Sequence, residues 1–459
     1  MNYEGDFMKV VVVGTGKVGR TIVEQTRLEG HEVIVIDKNT EVIEDMIDEL
    51  DVIGIVGNGA SYDILKEAGV SNADLVIATT DSDEINILAC LIAQKIGAEA
   101  TVARVRSYEY SNQMKLVRDG LGITMPINPE SETANEITKI LNFPEAIRVD
   151  SFAKGNVDLV ELYISEGNKL IGESLLSIYQ KYQIKVLVCA VVRGEEVIIP
   201  TGNFKFQAKD KIYITANSRS TLRTFLTKVG LLESKLKSVM IIGGGKISAY
   251  LGKELLKNKF KVKIIEEDYN RCLELSTLLP DATIIHGDGT DQNVLEEEGL
   301  EYTDAIVCLT GSDEENIIIS MYAGQKNIKK IITKINKPTL VGLMENTSNA
   351  SVVSTKNITA SNIISYIRSV KNKRGSNVIT LHKLVNNKVE AIEFLAKNNK
   401  KLINIPLKDL KLKHNILIAA IIRKNEVIIP SGNDFIALDD KVIVVTTNQF
   451  LNDLNEILE

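Results

Sequence analysis

Gly14, Gly16 and Gly19 stand at the G-x-G-x-x-G spacing, and an acid, Asp37, follows 18 residues after the last of them. Glycines so spaced let a chain turn tightly and bring backbone N–H groups against a pyrophosphate at the start of a helix. A carboxylate ending the next strand accepts hydrogen bonds from both ribose hydroxyls. The surrounding residues supply the elements that must position this chemistry. Val10 to Val13 is a continuous β-branched run, as expected of a strand covered on both faces of a parallel sheet. A helix's worth of residues follows, and Val33 to Ile36 predicts the second strand, ending in Asp37. Together these make a nucleotide-binding fingerprint.

The pattern continues as a third strand in DVIGIVGNGAS, a helix from about Tyr62 to Ala68, a strand Leu75–Ala78, a turn at Thr79-Thr80-Asp81, a helix through Glu84 to Ile96 and a strand Thr101–Arg104. Such alternation predicts a doubly wound parallel sheet. Its ligand crevice lies at the strand carboxyl ends, where Gly14, Asp37, Asn58, Thr80 and Arg104 fall. A short apolar segment, Ile123 to Ile127, leads to a helix capped by Asn128 with Pro129 at its first position and an apolar face at Ile137, Ile140 and Leu141. From Arg148 to Gly230 short alternating runs replace this pattern and predict a small β-rich unit. Boundaries fall near residue 145 and in ESKLKS near 232.

The plan then repeats. KSVMIIGGGKISAYLGKELL restates the opening, with Gly243 placed 229 residues after Gly14. Gly287-Asp288-Gly289 restates Gly57-Asn58-Gly59, Thr310 to Asn316 restates Thr80 to Asn86, and EVIIPTGN at 196–203 returns as EVIIPSGN at 426–433. The fold class is therefore α/β: two doubly wound Rossmann domains, each followed by a small β-rich unit.

Composition narrows the function classes. The 459 residues exceed one domain, and 25% charged with 44% hydrophobic residues describes a globular protein. A net charge of -7 with 5% aromatics and no basic patch argues against nucleic acid. No run reaches the ~20 apolar residues of a membrane span, and the N-terminus lacks a basic-then-apolar leader, so a cytoplasmic location is expected. Cys90, Cys189, Cys272 and Cys308 are widely spaced within apolar segments and read as reduced core thiols. The four histidines form no ligand pair.

With both halves laid out, the chain resembles the TrkA family, peripheral subunits of Trk-type potassium uptake systems, over Lys9 to Leu458. The resemblance rests on GTGKVG with Asp37, VGNGASYDILKEAGVSNADLVIATTDSDEIN, ARVRS at 103–107 and the duplicated EVIIPxGN. It implies RCK-N domains over 8–126 and 236–356, crossover helices over 127–145 and 357–374, and RCK-C domains over 146–232 and 375–459. It further implies NAD(H) in the N-domain crevices, with ATP or ADP as competitors in some members. The implied partner is a membrane-embedded Trk-type potassium-translocating subunit. The resemblance also implies assembly as a homo-oligomeric ring, a dimer to a tetramer, on the inner face of the membrane. The matching residues imply a first site of Gly14, Thr15, Gly16, Lys17, Val18, Gly19, Asp37, Asn58, Thr80, Asp81 and Arg104. The second is Gly243, Gly244, Gly245, Lys246, Ile247, Glu266, Asp288 and Thr310.

The copies differ. Ser248 stands where the first has Gly19, which is expected to loosen the helix–strand contact. Glu266 replaces Asp37, and Lys334 replaces Arg104, a point charge for a planar fork. Arg20 reads as a solvated surface residue. The acids Asp81, Asp83 and Glu84 have a structural reason at a helix start, where they complement the macrodipole. For Arg193 and Arg423, sheet-edge protection is the simpler reading beside a regulatory-ligand contact. Two functional classes remain: the nucleotide-sensing regulatory subunit that the resemblance implies, or an NAD-dependent dehydrogenase. The dehydrogenase needs a proton donor or acceptor at the nicotinamide. His286 has only Val56 as its counterpart, so no such group is duplicated, and the non-enzymatic sensor is the expected reading.

Overall fold

The computed structural model describes residues 7–459 apart from 108–109, 111–112, 114–117, 119, 233–235, 327, 345–349, 374–376, 385–387, 398, 400, 448–450 and 452. Parts of the leader reading, of the ESKLKS boundary and of the boundary expected at 374–375 lie outside the described residues.

Six strands open the chain: β1 (Lys9–Val13), β2 (Glu32–Asp37), β3 (Ile53–Val56), β4 (Leu75–Ala78), β5 (Ala100–Arg104) and β6 (Met125–Ile127). They form one sheet in the order β3-β2-β1-β4-β5-β6, with every pairing parallel. The run Val10–Val13 is apolar throughout because both faces are covered. Val10 and Val12 pack with Ile22, Val23, Ile43 and Met46, and Val11 and Val13 pack with Leu65, Cys90 and Ala93. Strand order reverses between β1 and β4, which opens a crevice at their carboxyl ends.

An antiparallel sheet follows, built from β7 (Arg148–Phe152), β8 (Val157–Tyr163), β9 (Val186–Arg193), β10 (Glu196–Ile198) and β11 (Lys211–Ala216), in the order β10-β9-β11-β8-β7. The second half repeats both. Strands β12 (Ser238–Ile242), β13 (Lys261–Glu266), β14 (Thr283–His286), β15 (Ala305–Cys308), β16 (Lys330–Lys334) and β17 (Ala350–Val353) form a parallel sheet ordered β14-β13-β12-β15-β16-β17. Strands β18 (Val378–Leu384), β19 (Val389–Leu395), β20 (Ile416–Arg423), β21 (Glu426–Ile428) and β22 (Lys441–Thr446) form the last sheet, ordered β18-β19-β22-β20-β21.

The chain divides into two compact units, Met1–Thr138 with Ser238–Lys371, and Lys139–Lys237 with Asn372–Glu459. The first contains both parallel sheets. Helix Thr355–Lys373 carries Ala360, Ile363, Ile364 and Ile367 at helical spacing, and these complete the core around Val10 and Ile22 of the other copy. Asn362 Nδ2 donates to Glu132 Oε2 at 3.2 Å, and Asn128 Nδ2 donates to the Tyr250 hydroxyl at 3.0 Å. The second unit contains both antiparallel sheets, joined by a core in which Phe152, Leu159 and Val192 meet Ala391, Ala420 and Ile422. Among the described residues no helix is long and apolar enough to cross a membrane.

Candidate functional site

A cleft of about 780 Å³ lies at the carboxyl ends of β1 to β5 and is lined by Gly14, Thr15, Gly16, Lys17, Val18, Asp37, Asn58, Thr80, Asp81 and Arg104 among others. Ten of the eleven residues expected in the first site thus converge. Gly19 is the exception. It lies beneath the loop, where an added Cβ would sit 2.0 Å from the Gly14 carbonyl oxygen, so its part is to let the helix approach the strand.

The helix Lys17–Leu28 starts at Gly16 with no side-chain cap, whereas those starting at Thr40 and Asp83 are capped by Asn39 and Ser82. Uncapped N-terminal N–H groups carry the positive end of the helix dipole and are a ready anion site. Asp37 Oδ2 accepts from the Thr15 N–H at 2.8 Å and the Thr15 hydroxyl at 2.9 Å, and Oδ1 accepts from the Asn39 N–H at 3.0 Å. Burial pushes this carboxyl upward, but the Thr15 and Asn39 donors outweigh it and hold it below the usual carboxylate range. Asp37 is therefore ionised at neutral pH and ready to accept from a diol.

At the other end of the cleft, Asn86 is fully buried. Its Oδ1 accepts from the Thr80 N–H at 2.8 Å and the Thr80 hydroxyl at 2.7 Å, and its Nδ2 donates to the Arg104 carbonyl at 3.0 Å. It ties the ends of β4 and β5 together, a role the sequence reading missed. The signal was present, because Asn316 repeats it with 2.8 Å to the Thr310 N–H and 3.1 Å to the Lys334 carbonyl. Arg104 reaches the Thr79 carbonyl at 3.5 Å and lies 3.9 Å from Asp81. Burial first, and then the neighbouring Arg106 cation, lower its pKa. Arg106 also lines the cleft and pairs with Glu130 at 2.8 Å.

The second cleft, about 420 Å³, is lined by Gly243, Gly244, Gly245, Glu266, Asp288, Thr310 and Lys334 among others. Lys246 and Ile247 open the helix Lys246–Lys257 behind the loop and do not line it. Lys334 Nζ donates to the Thr310 carbonyl at 2.6 Å. Burial, and the Lys17 ammonium from the other copy, lower its pKa against the pull of Asp313.

A TrkA-N domain model matches residues 10–129 and 239–355, and a TrkA-C domain model matches 159–227 and 391–459. The chain belongs to the TrkA family. It is 32% identical over 445 residues to the Trk system potassium uptake protein TrkA homolog 1 of Methanosarcina mazei, covering 95% of this chain and 97% of that protein. It is 31% identical over 450 residues to the TrkA homolog of Archaeoglobus fulgidus, covering 98% and 100%. Its fold matches a solved structure described as the GsuK channel bound to NAD, with a TM-score of 0.62, 16% identity and coverage of 98% and 78%.

Two expectations about this TrkA-family chain need correction. Ser248 does not loosen the second loop. It is fully buried, and its hydroxyl donates to the Gly243 carbonyl, the bond that the Thr79 hydroxyl makes to Gly14 at 2.8 Å in the first copy. Leu309 stands at the position of Thr79, so the donor has moved from the strand end to the helix. Ser248→Ala should therefore destabilise the second nucleotide domain by about 1 to 3 kcal/mol, the cost of losing a buried donor. Faster hydrogen exchange of the β12 amides would register it.

Arg193 and Arg423 do not guard sheet edges. Each lies on a strand paired on both sides, and each guanidinium is committed to a buried carboxylate, Asp210 or Asp440, at 2.8 Å. Arg20 is the partly exposed surface residue expected, and it bonds Glu24 at 3.2 Å and also reaches Glu49, pairing two helices. Asp83 accepts from the Arg106 and Ser107 N–H groups at 2.9 and 2.6 Å, which ties the helix start to the segment after β5, a structural role other than the dipole complement expected of it. All four cysteines are buried and free, and burial pushes the Cys90 and Cys308 thiols up to about 12. Neither is poised as a nucleophile.

Proposed function

We propose that this chain is the nucleotide-sensing regulatory subunit of a Trk-type potassium transporter and not an enzyme. NAD(H), or ATP and ADP in its place, occupies the glycine-loop clefts through Gly14 to Val18, Asp37, Asn58, Thr80, Asp81 and Arg104, and through Gly243 to Gly245, Glu266, Asp288 and Thr310. Occupancy shifts the relative arrangement of the domains and so biases the membrane-embedded partner. A ligand does this only through different affinities for the two arrangements. The chain acts in the cytoplasm, on the inner face of the membrane, as a homo-oligomeric ring of two to four chains.

The observation that carries this reading is the first cleft itself. An uncapped helix N-terminus faces an ionised Asp37 across the glycine loop. Histidine, tyrosine and cysteine are absent from the described residues lining either cleft. His286, the one group that sequence offered to a dehydrogenase, instead donates from Nε2 to the Glu267 carbonyl at 3.0 Å. Names of the relatives point the same way, since they are potassium uptake proteins.

Purified chain should quench or shift NADH fluorescence saturably without consuming it, and steady loss of the reduced cofactor with any small metabolite would sink the sensor reading. Asp37→Ala should weaken NADH binding at the first cleft by roughly 1.5 to 3 kcal/mol, the worth of hydrogen bonds to a charged acceptor. Unchanged affinity would remove Asp37 from the ribose site. Co-purification with a polytopic potassium-translocating protein, and nucleotide-dependent potassium flux in the reconstituted pair, test the partner.

A further inference from the structure

The two clefts share a plan and differ in charge. Among the described residues, four cationic side chains, Lys17, Lys38, Arg104 and Arg106, line the first against two carboxylates, Asp37 and Asp81. Among those lining the second, one lysine, Lys334, faces Glu266, Glu267, Asp288 and Glu315. The sign reversal comes from individual exchanges at equivalent positions: Lys38 becomes Glu267, Asn58 becomes Asp288, Ile85 becomes Glu315 and Arg106 becomes Asn336. Lys17 lies close enough to act on Lys334, yet counting it with both clefts leaves the second acidic.

The remaining cation there is not free to move. Lys334 Nζ is held by the Thr310 carbonyl at 2.6 Å. Arg271, which stands where Val42 lines the first cleft, is held against the back of the glycine loop, where its Nη2 also donates to the Gly245 carbonyl at 3.4 Å, and counting it with the second cleft still leaves the carboxylates in excess. Its Nε donates to the Gly244 carbonyl at 2.7 Å and its Nη1 to Glu274 at 2.6 Å. Asp288 accepts from the Thr290 N–H at 2.8 Å and hydroxyl at 2.7 Å, and those donors hold it below the usual carboxylate range. It stays charged at neutral pH.

Placement of these charges selects a ligand. With the adenosine ribose on Glu266 and the pyrophosphate on the glycine loop, the distal half of a dinucleotide crosses the switch point toward β15 and β16. Glu315 and Lys334 lie there, whereas the first cleft presents Ile85, Arg104 and Arg106. A terminal phosphate at that end meets two arginines in the first cleft, and in the second a carboxylate beside one lysine already bonded to the Thr310 carbonyl. A cationic nicotinamide ring meets the reverse. We infer that the second cleft takes the oxidised, low-charge dinucleotide NAD+ and excludes nucleoside triphosphates, which are confined to the first. This deepens the proposed sensor and rests on its assignment of the clefts to adenine nucleotides.

Titration calorimetry of the full chain tests it. ATP should bind with one equivalent per chain, and ATP-saturated chain should still take up one equivalent of NAD+. Glu267 and Glu315 are exposed, so the Glu267→Lys, Glu315→Lys double variant should fold. It should raise ATP stoichiometry from one to two and weaken NAD+ uptake by the ATP-saturated chain at least tenfold. Two ATP equivalents on the wild type with affinities within threefold, or no NAD+ uptake after ATP saturation, would overturn the charge selection while leaving the sensor reading intact. Absence of binding by ATP, NAD+ and NADH alike would overturn both.

Discussion

Gly19→Ala should unfold the first nucleotide domain, with a loss of more than about 3 kcal/mol, while leaving the antiparallel sheets of the second compact unit in place. The substitution adds one methyl carbon, and that carbon lands 2.0 Å from the Gly14 carbonyl oxygen and 2.9 Å from the Thr79 hydroxyl. Neither neighbour is the end of a flexible chain. The carbonyl belongs to the loop that presents its N–H groups to the cleft, and the hydroxyl is fixed by its own bond to that carbonyl at 2.8 Å. The helix must therefore move away from the strand, which exceeds the ordinary 1 to 3 kcal/mol of overpacking. Calorimetry of the full chain should show one transition shifted down by many degrees and the remainder in place, with NADH binding to the first cleft lost. A melting profile within two degrees of the wild type would show that the loop can yield. The second copy points to a rescue. There a serine occupies the glycine position and a leucine the threonine position, so Gly19→Ser combined with Thr79→Leu should recover more stability than Gly19→Ser alone.

That pair of exchanges also marks where sequence reading stopped. The two doubly wound parallel sheets and ten of the first cleft's residues were legible. A β-branched strand covered on both faces, a glycine loop and a terminal acid each leave a local signature, and the repeat at an offset of 229 doubled every signature. Ser248 was misread because its meaning depends on Leu309, a residue on another strand whose missing hydroxyl leaves the Gly243 carbonyl in need of a donor. The acids show the same coupling. Glu266 is one methylene longer than Asp37, and it reaches the loop N–H because Gly244 stands where Thr15 does. A Cβ at Gly244 would lie 2.9 Å from the Glu266 carboxylate and 2.6 Å from Leu275. Thr15 with Asp37 and Gly244 with Glu266 are two solutions to one packing problem. Each makes sense only as a pair, and pairing across 22 residues leaves no periodic trace. Sequence also placed helix 357–374 without showing that its Ile363 and Ile367 enter the core of the other copy, since periodicity gives a face and not its partner.

Arg193→Ala should destabilise the first antiparallel sheet by about 3 kcal/mol, at the low end for a broken buried pair because the arginine side chain is itself 30% exposed. Asp210 carries the penalty. Its side chain is fully buried, and it receives Nε and Nη2 of Arg193 at 2.8 Å each, a fork that matches the planar carboxylate, together with the Gln207 N–H at 2.9 Å. The guanidinium also stacks over Phe204 at 5.0 Å, and the hydrogen bond to Asp210, with its charge, raises the arginine's own pKa against the opposing effect of burial. Removing the arginine leaves a charge sealed from water with one backbone donor. Because a chain of several domains does not unfold in two states, the readout is local: exchange of the β11 amides should quicken roughly a hundredfold. Asp210→Asn added to Arg193→Ala should restore at least half of the lost protection, since the neutral amide no longer needs a counter-charge. Arg193→Lys should fall between, keeping the charge and losing the fork. A less than tenfold change in Arg193→Ala would mean the pair is incidental. Arg423 with Asp440 repeats the arrangement, down to a guanidinium 4.6 Å over Phe435, so the same series there should give the same ranking if the arginines serve to neutralise a turn carboxylate and not to hold a ligand.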